Sequence, residues 1–209
     1  MYQPTHFKEE RLEVQHALIK AHPFGLLISV GPDGPEANGV PFLLDAGGAP
    51  LGVLKSHVAR ANDQWRNLDG QRVLIVFQGP QTYVSPSLYE TKRETGKVVP
   101  TWNYVTVQAR GFARVHEERD WLHAQVSALT KTHEQGRSQP WAVSDAPALY
   151  IESQLKGIVG IEIIIDVIEG KWKVSQNRPE VDRRGVAHGL ADDHAEMIKL
   201  VRHFGGLDP

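Results

Sequence analysis

A mainly β fold of about six to eight antiparallel strands, closed as a small barrel with about three or four peripheral helices, is what this sequence predicts. Three observations carry that expectation. Short apolar runs recur between glycine- and proline-rich turns from Phe24 to His57. Two longer segments, Trp102 to Val115 and Val159 to Val167, alternate with the period of two that a half-buried strand requires. Closure is favoured because an open sheet would leave hydrogen-bonding edges exposed.

In chain order, Phe7 to His22 reads as a surface helix, with Val14, Leu18 and Ala21 at helical spacing and Pro23 ending it. Phe24–Val30, Glu36–Leu44 and Leu51–His57 form a meander whose turns are Gly31–Pro35 and Asp45–Pro50. Ala59 to Asp69 is a short helix, with Trp65 and Leu68 three apart. Arg72–Phe77 is a strand that resumes at Gln81–Ser85 after a break at Gly79-Pro80, and the highly charged Glu90–Lys97 reads as an exposed loop. Trp102–Val115 places Val105, Val107, Ala109, Ala113 and Val115 on one face. Asp120–Thr132 is helical, and a loop at Pro140–Pro147 leads to the Val159–Val167 strand. Glu169-Gly170 turns that strand into Lys171–Gln176, and Asp193–Phe204 is a C-terminal helix ending at Gly205-Gly206.

Composition narrows the classes. The chain has 209 residues, 41 % hydrophobic and 23 % charged, which is globular rather than disordered. One domain over residues 1–209, with helices at both ends, is the expectation. No run approaches the roughly 18 apolar residues of a membrane span, and Met1–Pro4 lacks the basic start of a secretory signal. A cytoplasmic protein without membrane contact is therefore expected. The absence of cysteine excludes thiol nucleophiles, thiolate zinc sites and iron–sulfur clusters. With 23 Lys and Arg against 25 Asp and Glu, the charge of −2 gives no push towards nucleic acid.

Familiar catalytic signatures are missing. The ten histidines form no HxH, HxxxH or HExxH spacing, so no metal site is expected. There is no GxSxG elbow, P-loop or GxGxxG turn. Paired acids such as Asp192-Asp193 read as helix-start charges.

Three polar clusters remain. Ser56-His57-Val58-Ala59-Arg60-Ala61-Asn62 runs from a strand end into a helix start, where a guanidinium fork and free N–H groups suit a phosphate; capping by Ser56 or Asn62 with a solvated Arg60 is the structural alternative. Trp102, Tyr104, Thr106, Gln108 and Arg110 share one strand face, which suits a flat ligand with polar edges, an ordinary solvent-facing surface or a subunit contact. Lys171, Lys173, Ser175, Gln176, Asn177 and Arg178 offer cations opposite Trp172 and Val174, for an anionic ligand or simply for solubility.

Together these segments resemble the PaiB-like FMN-binding negative transcriptional regulators. The likeness runs through Met1–Phe7, His57–Asn62, Tyr83–Ser87, Val99–Tyr104, Gly157–Glu162, Lys171–Arg178 and His188–Leu190, in order and along nearly the whole chain. The resemblance implies an FMN-binding split β-barrel, antiparallel and of Greek-key type, with FMN held at a homodimer interface. It implies that the backbone of Asn38, Gly39, Val40 and Pro41 lies along the flavin ring. Ser56, His57, Arg60 and Asn62 would take the phosphate and ribityl end. Trp102 and Gln108 keep a spacing seen in pyridoxamine-phosphate oxidases, which makes Gln108 a candidate hydrogen bonder. Lys173, Gln176 and Asn177 would reach the ring edge from the partner subunit. Leu88 stands where the family often has an aromatic, and Asp63 where it often has a proline; the first weakens an aromatic lid, and the second adds a charge near the phosphate end.

The functional expectation is an FMN-binding regulator, with DNA contact entering by resemblance only, because the chain lacks a basic stripe or a reading helix. A flavin-dependent oxidoreductase, either an NAD(P)H:flavin reductase or an enzyme like the pyridoxamine-phosphate oxidases, is the second reading. A haem-binding split barrel is the third. No catalytic residue is assigned.

Overall fold

A computed structural model describes residues 1–207; the last two residues lie outside the described part, as does the side chain of Asp192 that the sequence places among helix-start acids. The strands are β1 (Lys8–Glu9), β2 (Phe24–Gly31), β3 (Gly34–Pro41), β4 (Leu43–Asp45), β5 (Val53–Ala59), β6 (Arg72–Val84), β7 (Thr101–His116) and β8 (Ile158–Lys173). The helices are α1 (Leu12–Ala21), α2 (Thr91–Thr95), α3 (Arg119–Glu134), α4 (Ala148–Lys156), α5 (Glu180–Gly189) and α6 (Ala195–Phe204). All eight strands belong to one sheet in the order β3-β2-β6-β7-β8-β5-β4, with β1 paired to β8. The β1–β8, β2–β3, β2–β6, β4–β5 and β5–β8 ladders are antiparallel. Among the described residues no helix is long and apolar enough to cross a membrane.

The chain divides into two units, and β6, β7 and β8 each contribute to both. The unit of His16–Phe77 and Gln108–Ile168 is built on strand alternation. Val159, Ile161, Ile163 and Ile165 of β8 point inward, joined by Leu27, Leu54, Ile75 and Phe77. Phe42 meets Phe77 edge-on with ring centroids 5.7 Å apart, and its backbone N–H donates to the Pro23 carbonyl (2.9 Å). That inward turn divides the expected Glu36–Leu44 strand into β3 and β4. Gly111 permits a close approach within this unit, since a Cβ there would stand 2.1 Å from the Ile164 carbonyl oxygen.

The unit of Met1–Gln15, Gln78–Val107 and Glu169–Pro209 packs Val84, Tyr89, Val105, Trp172, Val174, Val186, Met197 and Val201. Trp172 lies against Phe204 of α6, with centroids 6.1 Å apart. Gly185 lets α5 close onto the Leu88 carbonyl, which a Cβ would approach to 2.1 Å.

Several elements differ from the sequence expectation, each for a physical reason. Lys8 and Glu9 leave the expected first helix to pair with Lys171 and Gly170, so α1 starts at Leu12. The same pairing keeps β8 extended through Glu169-Gly170, where the sequence expected a turn. The chain turns at Ser175 instead, the only non-glycine with positive φ (70°) among the described residues. β6 runs unbroken through Gly79-Pro80, since proline is tolerated in a strand where its nitrogen has no ladder bond to make. Within the expected Glu90–Lys97 loop lies α2, whose start is held by Asp182: its carboxylate accepts from the Thr91 N–H (3.0 Å) and Oγ1 (2.8 Å). Ala59–Asp69 contains only a 3-10 turn at Asp63–Asn67. α4 and α5 were not expected. In α4 Leu149 is 86 % exposed and Leu155 is the buried residue, and α5 carries glycines at 185 and 189, so neither shows a clear apolar stripe.

Candidate functional site

The expected ring platform, Asn38–Pro41, is part of β3, and strand alternation divides it. Val40 is buried, and the Asn38 amide donates inward to Gln64 Oε1 (2.9 Å). Gly39 and Pro41 belong to the opposite face, and Phe24 covers Gly39 closely enough that a Cβ would stand 2.6 Å from its ring. That face is apolar. Phe24 (68 % exposed), Leu26 (41 %) and Val30 (64 %) alternate along β2 with buried Leu27 and Ser29. In register, Leu26 faces Gly39 on one side and Val76 on the other, while Ile28 faces Ala37 and Leu74. A contiguous apolar sheet face of this kind marks a surface that takes a partner or a ligand.

Gln64, which sequence reading missed, organises the ground beneath. It is buried, accepts from Asn38, and donates to Ser29 Oγ (2.9 Å) and the Leu27 carbonyl (3.3 Å). Its own N–H is capped by Asn62 Oδ1 (3.1 Å). Asn38 and Asn62 are thus brought to one residue, and the oxygen of Asn62 serves the 3-10 turn. Ser56 is fully buried, and its hydroxyl donates to the Pro41 carbonyl (2.6 Å), tying β5 to the end of β3.

His57 Nδ1 lies 2.9 Å from Gln125 Oε1. With the Gln125 amide turned so that its oxygen accepts, Nδ1 carries the proton and Nε2 is left as an acceptor. Burial pushes the imidazole below its ordinary pKa of 6.5, and the Gln125 bond opposes this in part. A neutral, accepting imidazole suits a hydroxyl donor rather than a phosphate oxygen. Gln125 also lines a cavity of about 470 Å³ with Leu43, Lys55 and Trp121, and its Nε2 is buried without a partner.

The His57 pKa has a stability consequence. Above about pH 6.5 the ring is neutral in both folded and unfolded chains. As pH falls through 6.5 the unfolded chain takes up a proton that the folded one refuses, so stability falls until the folded pKa is passed. Thermal melts from pH 8 to 5 should show the advantage of wild type over His57→Asn shrinking as pH falls; a constant gap would contradict this assignment.

Arg60 is anchored by its own unit. Nε donates to the Lys156 carbonyl (2.9 Å), Nη2 to the Ile158 carbonyl (3.1 Å) and Nη1 to Glu117. Three of its five N–H donors are engaged and two remain. Arg119 and Glu152 join Arg60, Glu117 and Lys156 around a cavity of about 370 Å³. Gln108, half-buried on β7, accepts from Arg110 (3.2 Å).

The other expected residues lie in the second unit. Trp102 is half-exposed, donates from its indole to Gln81 Oε1 (2.6 Å) and meets Tyr83 edge-on. Lys173 donates to Thr101 Oγ1 and the Trp102 carbonyl. Gln176 uses both ends of its amide on the turn, accepting from the Val174 N–H and donating to the Trp172 carbonyl. Asn177 and Lys173 line a small cavity.

The architecture has known counterparts. A conserved hypothetical protein of Mycobacterium tuberculosis, Rv2991, superposes with a TM-score of 0.59 at 16 % identity, over 86 % of this chain and 94 % of that one. The FAD and heme binding protein of Mycobacterium smegmatis gives 0.57 at 17 % identity, over 91 % and 77 %. The fold is that of the FMN-binding split-barrel proteins.

Sequence likeness goes further. Residues 1–167 match the family described as "Putative FMN-binding domain". Protease synthase and sporulation protein PAI 2 of Bacillus subtilis is 31 % identical over 200 residues, covering 95 % of this chain and 93 % of that one. An uncharacterized protein of Emericella nidulans is 37 % identical over 247 residues, covering 99 % and 98 %. The chain belongs to the PaiB-like family of putative FMN-binding domains.

Proposed function

We propose that the protein binds FMN between two copies of itself and acts as a negative regulator of the PaiB type, with residues 1–209 working as one FMN-binding unit in the cytoplasm. The observation that carries the reading is the exposed apolar face of β2 and β3, where Phe24, Leu26 and Val30 lie beside Gly39 and Pro41, in a chain of an FMN-binding family. A flat, largely apolar ring needs such a surface, and a second copy would bury what remains of it.

The donor set fits the rest of FMN. Arg60 retains two N–H groups for phosphate oxygens, and neutral His57 can accept from a ribityl hydroxyl. In this reading Ser56, Asn38 and Asn62 hold the platform in place through Pro41 and Gln64, with Val40 packed beneath it. Gln108 offers an amide to the flavin. From the second copy, Lys173, Gln176 and Asn177 approach the ring edge beside Trp102. Bound FMN would supply reversible one- and two-electron chemistry.

The regulatory role follows the likeness to the Bacillus protein, whose name places it in protease synthesis and sporulation. Direct DNA reading finds little charge to work with in this chain. The net charge is −2, and in the short basic pairs Lys92-Arg93 and Arg183-Arg184 the side chains of Arg93 and Arg184 are matched with Glu90 and Glu180.

FMN titration of the purified protein tests the reading. Quenching of flavin fluorescence should saturate at one FMN per chain, in a species that sediments as a dimer. A chain that leaves flavin fluorescence unchanged defeats it.

A further inference from the structure

We propose that the small cavity where β7 begins and β8 ends is an oxyanion site, one that takes a phosphate or carboxylate group. It has a volume of about 40 Å³ and is lined by Thr101, Asn103, Lys173, Ser175, Asn177 and Arg178. That is room for about three water-sized groups, enough for the head of an oxyanion and too little for a ring. The inference requires neither flavin nor a second copy.

The lining combines two cations, two hydroxyls and two amides, with no carboxylate. Lys171 adds a third cation: only 7 % exposed, it sits 5.3 Å from the ring centroids of both Tyr2 and Tyr104. Lys173 lies 6.0 Å from the Tyr104 centroid, and Arg178 lies 4.8 Å from that of Tyr89. Ring faces, the Tyr2 and Trp102 carbonyl oxygens and the Thr101 hydroxyl are the partners of these cations. None of the three forms a salt bridge among the described residues. The Asp182 carboxylate, close enough to act on Tyr89, is committed to Thr91.

Such a cluster is under electrostatic tension. Burial first, then the charges of Lys171 and Arg178, push the Lys173 pKa down. An anion in the cavity would reverse that pressure, because an opposite charge favours the ammonium form. One N–H of Lys173 is unspent after its bonds to Thr101 and Trp102, and the Asn177 side chain makes no hydrogen bond among the described residues. Meanwhile the lining is fixed. Ser175, with its positive φ, is held by the fully buried Asn103 amide (2.9 Å), and Gln176 pins the turn from both ends. A non-glycine held at positive φ beside unpaired cations is strain placed where a ligand can use it.

The test uses the full chain in anion-depleted buffer, titrated calorimetrically with inorganic phosphate and, separately, with acetate. At least one should bind at one site per chain and raise the melting temperature; the stronger of the two tells a phosphate source from a carboxylate source. Lys173→Gln should weaken that binding about tenfold or more, and Lys20→Gln, an exposed change at the end of α1, should leave it intact. Asn177→Asp places a carboxylate in the cavity. It should raise the melting temperature without added anion and remove the response to phosphate, which keeps the proposal open to refutation if Lys173→Gln fails to fold. Binding that survives both cavity variants, or an effect equalled by chloride, overturns the site. Competition by FMN but not by riboflavin also overturns it, by making the cavity the seat of the flavin phosphate. Phosphate binding in a chain that takes no flavin upholds the site while defeating the flavin reading.

Discussion

Leu26→Asp is expected to turn the proposed dimer into monomers and to abolish the proposed FMN binding in the same step. Leu26 stands in the middle of the exposed β2 face, in register with Gly39 and Val76. A carboxylate there costs the isolated chain little, because Leu26 is already partly in water. In a two-fold interface the same residue appears twice. Each copy then buries an unpaired charge against apolar neighbours, at an effective cost of several kcal/mol per ion. Even about 3 kcal/mol weakens association more than a hundredfold. Sedimentation velocity and flavin quenching on one preparation check both halves, with unchanged circular dichroism as the folding control. A variant that stays dimeric, or a monomer that binds FMN like wild type, would remove the β2 face from the site.

That face was hard to read from sequence. In Phe24–Val30 every position is apolar or small, so alternation cannot tell the inward residues from the outward ones. β8 was legible because Val159, Ile161, Ile163 and Ile165 alternate with Gly160, Glu162 and Asp166 in a strict period of two as far as Ile164 allows. Its continuation through Glu169-Gly170 was not, since that stretch is kept extended by β1, some 160 residues earlier in the chain. Local chemistry carries no sign of so distant a partner.

Among the site residues, Arg60, His57 and Asn62 were visible because hydroxyl, imidazole and guanidinium crowd into seven residues at a strand end. Their hydrogen bonds were not. Ser56 serves Pro41, His57 is oriented by Gln125, and Arg60 is bound to Glu117 and two distant carbonyls. Gln64 and Gln125 are single polar residues within polar or amphipathic segments, a pattern shared with any surface glutamine. Only their burial sets them apart.

Arg60 and Glu117 should respond in opposite directions. If the flavin phosphate draws on the two free N–H groups of Arg60, it shares the charge of that guanidinium with the Glu117 carboxylate. Arg60→Ala removes a charge-assisted contact and should weaken FMN binding by about 1.5–3 kcal/mol, a factor of roughly 10 to 150. It also frees the Lys156 and Ile158 carbonyls, so a modest fall in melting temperature should accompany the loss. Glu117→Gln keeps the shape of the side chain and removes its charge. Both partners are substantially exposed, so the pair itself contributes at most about 1 kcal/mol, and FMN affinity should rise by no more than about fivefold. Arg60→Lys should fall between, retaining the charge without the fork that grips two oxygens at once. Riboflavin, which has no phosphate, should bind wild type and all three variants alike. If Glu117→Gln weakens FMN as Arg60→Ala does, Arg60 serves only to brace the α4–β8 junction, and the phosphate is held elsewhere.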